Sequence, residues 1–297
     1  MYTYNFKSSI NLYKCDDFSN SVNDEILDIR KYNKDIVSVD KIGLSIKRTP
    51  ILSIKLGKGP IKVFINGTHH AREAITTVLI LDQIKYILSL YKNNSYIYDI
   101  SIKDILDKVT FIFVPLVNPD GADLVLSGNK CYRNWKANVN GVDLNRNYPT
   151  TYPDQDTVLI PGFKGYPGLY SFSEPETIAL KYLTEKYLFD GVISYHSSGE
   201  EIYWQFNQLN EERDLKIANK ISKETNYTLL YEEKPNIGSG YKDWFIENYQ
   251  KPSLTIEVSP YVGENKVPIE NYKKIFQDNK NVPIIFANEI LNSIYQS

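Results

Sequence analysis

The chain has 297 residues and a formal net charge of −2 at pH 7, and 42% of its residues are hydrophobic while 24% are charged. This balance is typical of a soluble globular protein with a full hydrophobic core. It excludes the strongly basic surface that attracts nucleic acids or anionic membranes. We therefore expect no nucleic-acid and no membrane binding.

The first twelve residues are polar and aromatic, without the basic start and apolar centre of a signal peptide. No apolar run approaches the roughly 20 residues that a membrane-spanning helix needs. These features predict a cytoplasmic protein. The two cysteines, Cys15 and Cys131, lack the CxxC spacing of a redox or zinc motif, so we expect reduced thiols without a chemical role.

Predicted strands and helices alternate along the chain. The spacing of apolar residues and turn signals predicts strands at 51–56, 62–65, 109–117, 192–195 and 253–258. Helices are predicted at 72–91, from 173–176 to about 187, at 210–225 and from 271 onward, with a break near Pro283. The third of these strands ends at an Asn-Pro-Asp-Gly turn, and residues 173–176 have the pattern of a capping box. Such alternation predicts an α/β layer fold with helices on both faces of a mixed sheet.

No stretch of the chain has the composition of a linker between domains. We therefore predict one domain over residues 1–297, with residues 1–40 as an N-terminal extension packed on it.

All three histidines of the chain, His69, His70 and His196, follow predicted strands. Ligands in open α/β sheets bind beyond the carboxyl ends of the strands, so these histidines are placed where a site would form. Glu73 lies three residues after His70, and two side chains at this spacing can face one point. An HxxE pattern alone is more typical of a capped helix start, but His196 at a second strand end favours a metal site.

The two-histidine, one-glutamate set with an open fourth position is typical of a catalytic zinc. We predict one zinc ion per chain, held by His70, Glu73 and His196. His69 is four residues from Glu73, an awkward spacing across a strand-to-helix turn, so we expect it behind the ligands or in the pocket wall.

Five segments together resemble the carboxypeptidase A-like zinc peptidases, in that family's order. They are His70-Ala71-Arg72-Glu73 with the following Ala-Ile-Thr-Thr, Val117-Asn-Pro-Asp-Gly, Gly141-Val-Asp-Leu-Asn-Arg-Asn, Tyr195-His-Ser and Leu254-Thr-Ile-Glu-Val. The resemblance runs from about residue 42 to about residue 260. Two finer segments, Trp135-Lys-Ala-Asn and Asp243-Trp-Phe-Ile, resemble a bacterial branch that cleaves γ-D-glutamyl-diaminopimelate bonds in cell-wall peptides, often in spore formers.

The resemblance implies a three-layer α/β/α sandwich with a mixed sheet of about eight strands. It also implies that Glu257 is the general base and later the proton donor. A carboxylate next to metal-activated water is needed to take its proton, which supports this role independently. The alternative for Glu257 is an ion-paired residue at a strand end.

The resemblance further implies that Asn145 and Arg146 clamp a substrate carboxylate and that Arg72 helps to bind substrate. An arginine suits bidentate binding of a carboxylate. For Arg146 taken alone, an ordinary salt bridge in a loop is the alternative.

Two positions depart from the digestive members of the family. Their substrate-capping tyrosine is replaced by Ile246, and Tyr241 or Tyr203 could take its place. Their oxyanion-stabilising arginine is replaced by Lys136, with Arg133 as the alternative, and a lysine supplies charge without the fork geometry of arginine. Both departures weaken the case for a general C-terminal carboxypeptidase.

We therefore expect a zinc metallopeptidase that hydrolyses a peptide bond next to a free-carboxylate residue, with a short peptide or muropeptide as substrate. The alternatives are a zinc deacylase of the desuccinylase or aspartoacylase type, a C-terminal carboxypeptidase of ordinary peptides, and a non-catalytic binding module. The sequence leaves the oligomeric state open and also permits a spore-associated location.

Overall fold

An eight-stranded mixed sheet forms the centre of the computed structural model, which describes residues 8–14, 17–151, 158–231 and 237–295. The strand order is β1-β2-β6-β3-β7-β10-β8-β9. The bounds are β1 Val37–Leu44, β2 Pro50–Gly57, β3 Ile61–Gly67, β6 Val109–Val114, β7 Gly191–Ser197, β8 Glu201–Tyr203, β9 Thr228–Leu230 and β10 Ser253–Val258. A separate hairpin pairs β4 (Tyr96–Ile97) with β5 (Ile100–Ser101).

The four central strands β6, β3, β7 and β10 run parallel to one another. Towards the edges, β2 joins β6 and β1 joins β2 antiparallel, and β8 joins β10 antiparallel. The central strands are almost continuously buried, as expected when helices cover both faces of a sheet. Their carboxyl ends therefore meet at one edge of the sheet.

Helices cover the sheet on both faces. Their bounds are α1 Phe18–Lys31, α2 Ile75–Lys92, α3 Ile102–Lys108, α4 Pro119–Leu126, α5 Pro175–Tyr187, α6 Glu211–Thr225, α7 Tyr241–Tyr249, α8 Tyr272–Asn279 and α9 Val282–Tyr295. Apolar side chains of α1, α2, α3, α6, α8 and α9 share one core with the sheet, and those of α5 and α7 share a second. The predicted three-layer α/β/α sandwich is confirmed.

Three predicted elements differ in detail from the structure. The strand predicted over 109–117 ends at Val114, because Pro115 has no N–H to continue the ladder. The helix predicted over 72–91 divides into a 3₁₀ turn, Ala71–Glu73, and α2. The capping box predicted at 173–176 is wrong, since α5 begins at Pro175 and its N-cap Glu174 makes no side-chain cap.

One helical stretch of the described residues, Ala71–Lys92, is long and apolar enough to cross a membrane. Of its most apolar window, 72% is buried inside the protein, because α2 packs against the sheet and against α3 and α8. Its hydrophobicity is thus explained by the core.

The N-terminal part packs on the sheet through α1, whose Phe18, Val22 and Ile26 are fully buried. Residues 37–40, predicted as part of an extension, belong to β1 of the sheet. The division of the whole chain into one domain stays a prediction. Cys131 is exposed with a free thiol, and Cys15 lies outside the described residues.

Candidate metal centre and active site

The first two predicted ligands, His70 and Glu73, follow the end of β3. After Gly67 the backbone of Thr68 takes a positive φ of 54°, and its N–H and hydroxyl bond to the hydroxyls of Thr76 and Thr77 on α2. This buried network fixes the strand-to-helix corner. His70 then occupies the N-cap position of the 3₁₀ turn that ends at Glu73.

The 3₁₀ turn explains why a histidine and a glutamate three residues apart meet. The backbone N–H of Glu73 donates to the carbonyl of His70 at 3.0 Å, and this i→i+3 bond closes a tight turn that brings the two side chains together. His70 Nδ1 accordingly lies 2.8 Å from Glu73 Oε1. Both side chains are buried.

The third predicted ligand arrives from β7, the neighbour of β3 in the sheet. His196 Nδ1 lies 3.0 Å from Glu73 Oε2 and 3.1 Å from His70 Nδ1. Each of His70, Glu73 and His196 offers one donor atom, and these atoms all lie within 4.8 Å of one another. The structure thus brings together the residues predicted to hold a metal.

The remaining histidine of the chain stands behind this cluster. His69 is fully buried, its Nε2 lies 3.0 Å from the hydroxyl of Tyr148, and its ring stacks on that of His196 with centroids 5.6 Å apart. His69 contributes no donor atom to the cluster, but its ring packs against that of His196, which does.

The electrostatics of the cluster suit a cation. Burial lowers the pKa of His196 below its usual value, so its ring nitrogen is neutral and has a lone pair to give. Burial would raise the pKa of Glu73, but the imidazoles of His70 and His196 outweigh this effect and hold it well below its usual range. Neutral imidazoles and an ionised carboxylate are the forms in which these groups bind metals.

A second buried carboxylate, that of Asp143, lies next to the Nε2 atom of His70. Its Oδ1 lies 3.2 Å from His70 Nε2, and its Oδ2 lies 3.4 Å from Lys136 Nζ. Burial would raise the pKa of Asp143, but Lys136, His70 and Arg146 together hold it well below its usual range. No role was predicted for Asp143 from the sequence, although it lies inside the Gly141-Val-Asp-Leu-Asn-Arg-Asn segment.

The cluster opens into a cleft of about 650 Å³. Its walls include His70, Glu73, Arg72, Lys136, Glu201, Tyr203, Glu257, Tyr261 and Glu264. A larger cavity of about 940 Å³ lies between α1, α2 and the Ser9–Lys14 turn, and no histidine lines it. The smaller cleft is therefore the candidate active site.

The sheet register places Glu257 directly beside His196. Glu257 of β10 pairs with His196 of β7 on one side and with Glu201 of β8 on the other. Paired residues project to the same face of a sheet, so all three face the cleft. Burial raises the pKa of Glu257 to about 8, and the Glu73 carboxylate adds to the rise.

The structure decides between the candidates for the missing oxyanion arginine. Lys136 lines the cleft, whereas Arg133 is exposed and its Nη2 lies 3.4 Å from the side-chain oxygen of Asn265. Of the two candidates, Lys136 is therefore the one that lies beside the cluster.

The candidates for the capping tyrosine also differ in whether they line the cleft. Ile246 is fully buried in α7, and Tyr241 is fully buried with its hydroxyl 2.5 Å from that of Thr184, so of the two alternatives Tyr241 does not reach the cleft. Tyr203 lines the cleft, and so does Tyr261, which is 78% exposed and which the sequence analysis missed.

The residues predicted to clamp a carboxylate occupy different places. Arg72 lines the cleft, and its Nη1 donates to the carbonyl of Asn134 at 3.3 Å. Asn145 and Arg146 follow Asp143 in the 3₁₀ turn Leu144–Arg146 and are not among the residues that line this cleft. The Asn145 side-chain oxygen instead accepts from the backbone N–H of Tyr241 at 3.1 Å. Their role in substrate binding stays a prediction.

Comparison with known proteins agrees with this geometry. The profile of the zinc carboxypeptidase family matches residues 22–266. The chain belongs to the zinc carboxypeptidase family. Its donor set fits the metal of that family, since two imidazole nitrogens and one carboxylate oxygen converge at the wall of an open cleft.

Two bacterial relatives are each 32% identical to this zinc carboxypeptidase family member. One is the γ-D-glutamyl-L-diamino acid endopeptidase 1 of Lysinibacillus sphaericus, with 80% of this chain and 64% of that protein covered. The other is the uncharacterized protein YqgT of Bacillus subtilis, with 81% and 69% covered. The chain thus spans about two-thirds of the length of these relatives.

The fold is also found in solved structures. Bovine thrombin-activatable fibrinolysis inhibitor, solved in complex with a tick carboxypeptidase inhibitor, matches with a TM-score of 0.78 at 20% identity, covering 93% of this chain and 97% of that one. At this identity the match shows the fold alone.

Proposed function

We propose that this chain is a zinc peptidase that hydrolyses the γ-D-glutamyl–diaminopimelate bond of cell-wall peptides. The observation that carries the proposal is the convergence of His70, Glu73 and His196 in a cleft where Glu257 stands in the adjacent register position. The name of the Lysinibacillus sphaericus relative supports this type of bond. The cellular location and the oligomeric state stay open.

His70, Glu73 and His196 would hold the zinc. When bound, zinc polarises a carbonyl oxygen and lowers the pKa of bound water from 15.7 to about 7. Asp143 Oδ1 faces His70 Nε2 at 3.2 Å, where it would orient the ring of a metal-bound His70. Such a carboxylate fixes the tautomer and raises the basicity of the ligand.

Glu257 is positioned to move the proton. Its carboxylate would accept a proton from the attacking water and deliver it to the nitrogen of the leaving amine, so that the peptide bond breaks without releasing an amide anion. A general acid–base group of this kind contributes roughly 10²–10⁴-fold to the rate.

The cations of the cleft suit an anionic substrate. Arg72 and Lys136 line the wall next to the metal ligands and can bind a carboxylate or the negative charge that develops on the carbonyl oxygen. Because Ile246 and Tyr241 are buried, the tyrosine cap of digestive carboxypeptidases is not available from α7. This favours a specialised peptide over general C-terminal trimming.

The test is hydrolysis of matched substrates by the purified zinc-loaded protein. We expect release of diaminopimelate from L-Ala-γ-D-Glu-diaminopimelate and much slower release from ordinary C-terminal peptides. Glu257→Gln should lower kcat by roughly 10²–10⁴-fold while zinc content is unchanged.

Glu270→Gln is the matched control, because Glu270 is exposed outside the cleft. It should retain wild-type activity. Hydrolysis of acyl-amino acids but not of peptides would show a deacylase instead, and the absence of turnover with every substrate would contradict a catalytic role.

A further inference from the structure

One acidic side chain of the cleft has no part in the proposed chemistry. Glu201 lies on β8, the strand next to β10, and pairs directly with Glu257. His196, Glu257 and Glu201 thus form one row across three adjacent strands. Strands lie about 4.8 Å apart, so Glu201 stands about 10 Å from β7 along this row.

The Glu201 carboxylate is held in a defined position. A Cβ on Gly199 would lie only 2.9 Å from Glu201 Oε2, so the carboxylate rests directly against a glycine backbone. The Tyr203 hydroxyl, two residues along the same face, donates to that oxygen at 3.3 Å. Both contacts leave the group facing the cleft that it lines.

Among the described residues, no basic side chain forms an ion pair with Glu201. Lys136 of the same cleft pairs with Asp143, and Glu264 at the rim pairs with Lys164. In the sheet, Glu201 stands directly opposite Glu257 and not opposite a cation. A carboxylate fixed in this way is suited to a cation that the substrate brings.

The cleft is electrically asymmetric along the row. Arg72 follows β3 at one end, Lys136 lines the same cleft, and Glu201 on β8 marks the other end. A substrate residue with a carboxylate at one end and an ammonium group at the other would match both. Lysine and diaminopimelate carry such an ammonium on a flexible carbon stem.

We propose that Glu201 is the residue that selects substrates with a free ammonium group on the side chain next to the scissile bond. This inference rests on the proposed function and adds its specificity-determining residue. The charge-assisted hydrogen bond between ammonium and carboxylate supplies the preference.

The test compares L-Ala-γ-D-Glu-L-lysine with L-Ala-γ-D-Glu-L-norleucine, which has the same carbon stem and no ammonium. The zinc-loaded wild type should prefer lysine in kcat/KM by about 10- to 100-fold, the range of one hydrogen bond to a charged group. Glu201→Gln should bring this ratio close to unity by slowing lysine release, with norleucine release almost unchanged. Tyr203→Phe, which removes the hydroxyl that holds Oε2, should lower the ratio by less.

Glu200→Gln is the matched control. Glu200 is not among the residues that line the cleft, and its carboxylate forms an ion pair with Lys274 Nζ at 2.6 Å. It should keep the wild-type ratio. Zinc content and melting temperature of each variant establish that it is folded and loaded.

Equal wild-type rates with lysine and norleucine would overturn the inference. So would a Glu201→Gln variant that keeps the wild-type ratio, or one that slows both substrates equally. A wild type that cleaves neither these peptides nor the diaminopimelate peptide would instead overturn the proposed function.

Discussion

Two clusters of buried carboxylates in this protein show opposite behaviour. At the metal centre, neighbouring imidazoles and Lys136 hold the pKa values of Glu73 and Asp143 well below their usual range, against the effect of burial. At the start of α5, burial raises the pKa of Glu176 to about 7, and the nearby Glu174 carboxylate adds to the rise. Burial acts in the same direction in both places, so the neighbours decide whether a site keeps a negative charge or a proton.

The two clusters are connected through one loop. The Asn138 amide donates to Glu174 at 2.7 Å, and its oxygen accepts from the backbone N–H of Val142 at 3.1 Å. Asp143 follows immediately and reaches His70. The α5 cluster thus fixes the segment that supports the metal centre.

The largest effect is expected at Glu73. Glu73→Gln keeps the size of the side chain and removes the charge that balances a cation. Loss of a residue that only hydrogen-bonds to a metal ligand costs about 10–100-fold in metal affinity. Loss of the ligand Glu73 itself should cost more, and peptidase activity should fall below detection. Metal analysis after dialysis and a peptide release assay check this. A variant that retains zinc and activity would remove Glu73 from the metal site.

Asp143→Asn should have an intermediate effect. The amide cannot supply the charge that faces His70 Nε2 and Lys136 Nζ, so zinc affinity should fall by about 10–100-fold. Competition with a chelator of known affinity measures the change. If zinc binds the variant as tightly as the wild type, the carboxylate has only a structural role.

The smallest effect is expected at Glu176, and it concerns stability. The folded-state pKa of Glu176 is raised from 4.5 to about 7, so between these values the folded chain binds more protons than the unfolded chain. Stability therefore falls as pH rises through this window. Glu176→Gln should raise the free energy of unfolding by roughly 1–3 kcal/mol at about pH 8, with little gain near pH 4.

Urea unfolding at the two pH values checks this prediction. Glu185→Gln is the control, because Glu185 is exposed on the same helix. It should show no such pH dependence. An equal effect of Glu176→Gln at both pH values would contradict the raised pKa.

The residues that the sequence predicts best are those whose partners lie nearby in the chain or at a strand end. His70 and Glu73 are three positions apart, and His196 ends a clearly apolar strand, so spacing and strand ends, together with the resemblance to the zinc peptidases, pointed to all three. The layered α/β fold followed from the alternation of strands and helices for the same reason. The 3₁₀ geometry that joins His70 to Glu73 was not visible in the sequence.

The residues that the sequence did not predict depend on distant pairing. Glu201 lies on a strand of only three residues, too short for a recognisable alternation, and its position beside Glu257 follows from the register. The choice between Tyr241 and Tyr203 as the cap stayed open because most of α7 is buried, so its sequence does not show which side faces the cleft. Asp143 acquires its role only through contacts with His70 and Lys136.

Glu73 and His196 are 123 positions apart in the chain, yet they meet because β3 and β7 are neighbours in the sheet. A zinc ion held by both would act as a removable cross-link between two central strands. Since such an ion binds only the native pairing, its binding energy would also resist unfolding. Scarcity of zinc would then lower the stability of the folded protein as well as its catalytic turnover.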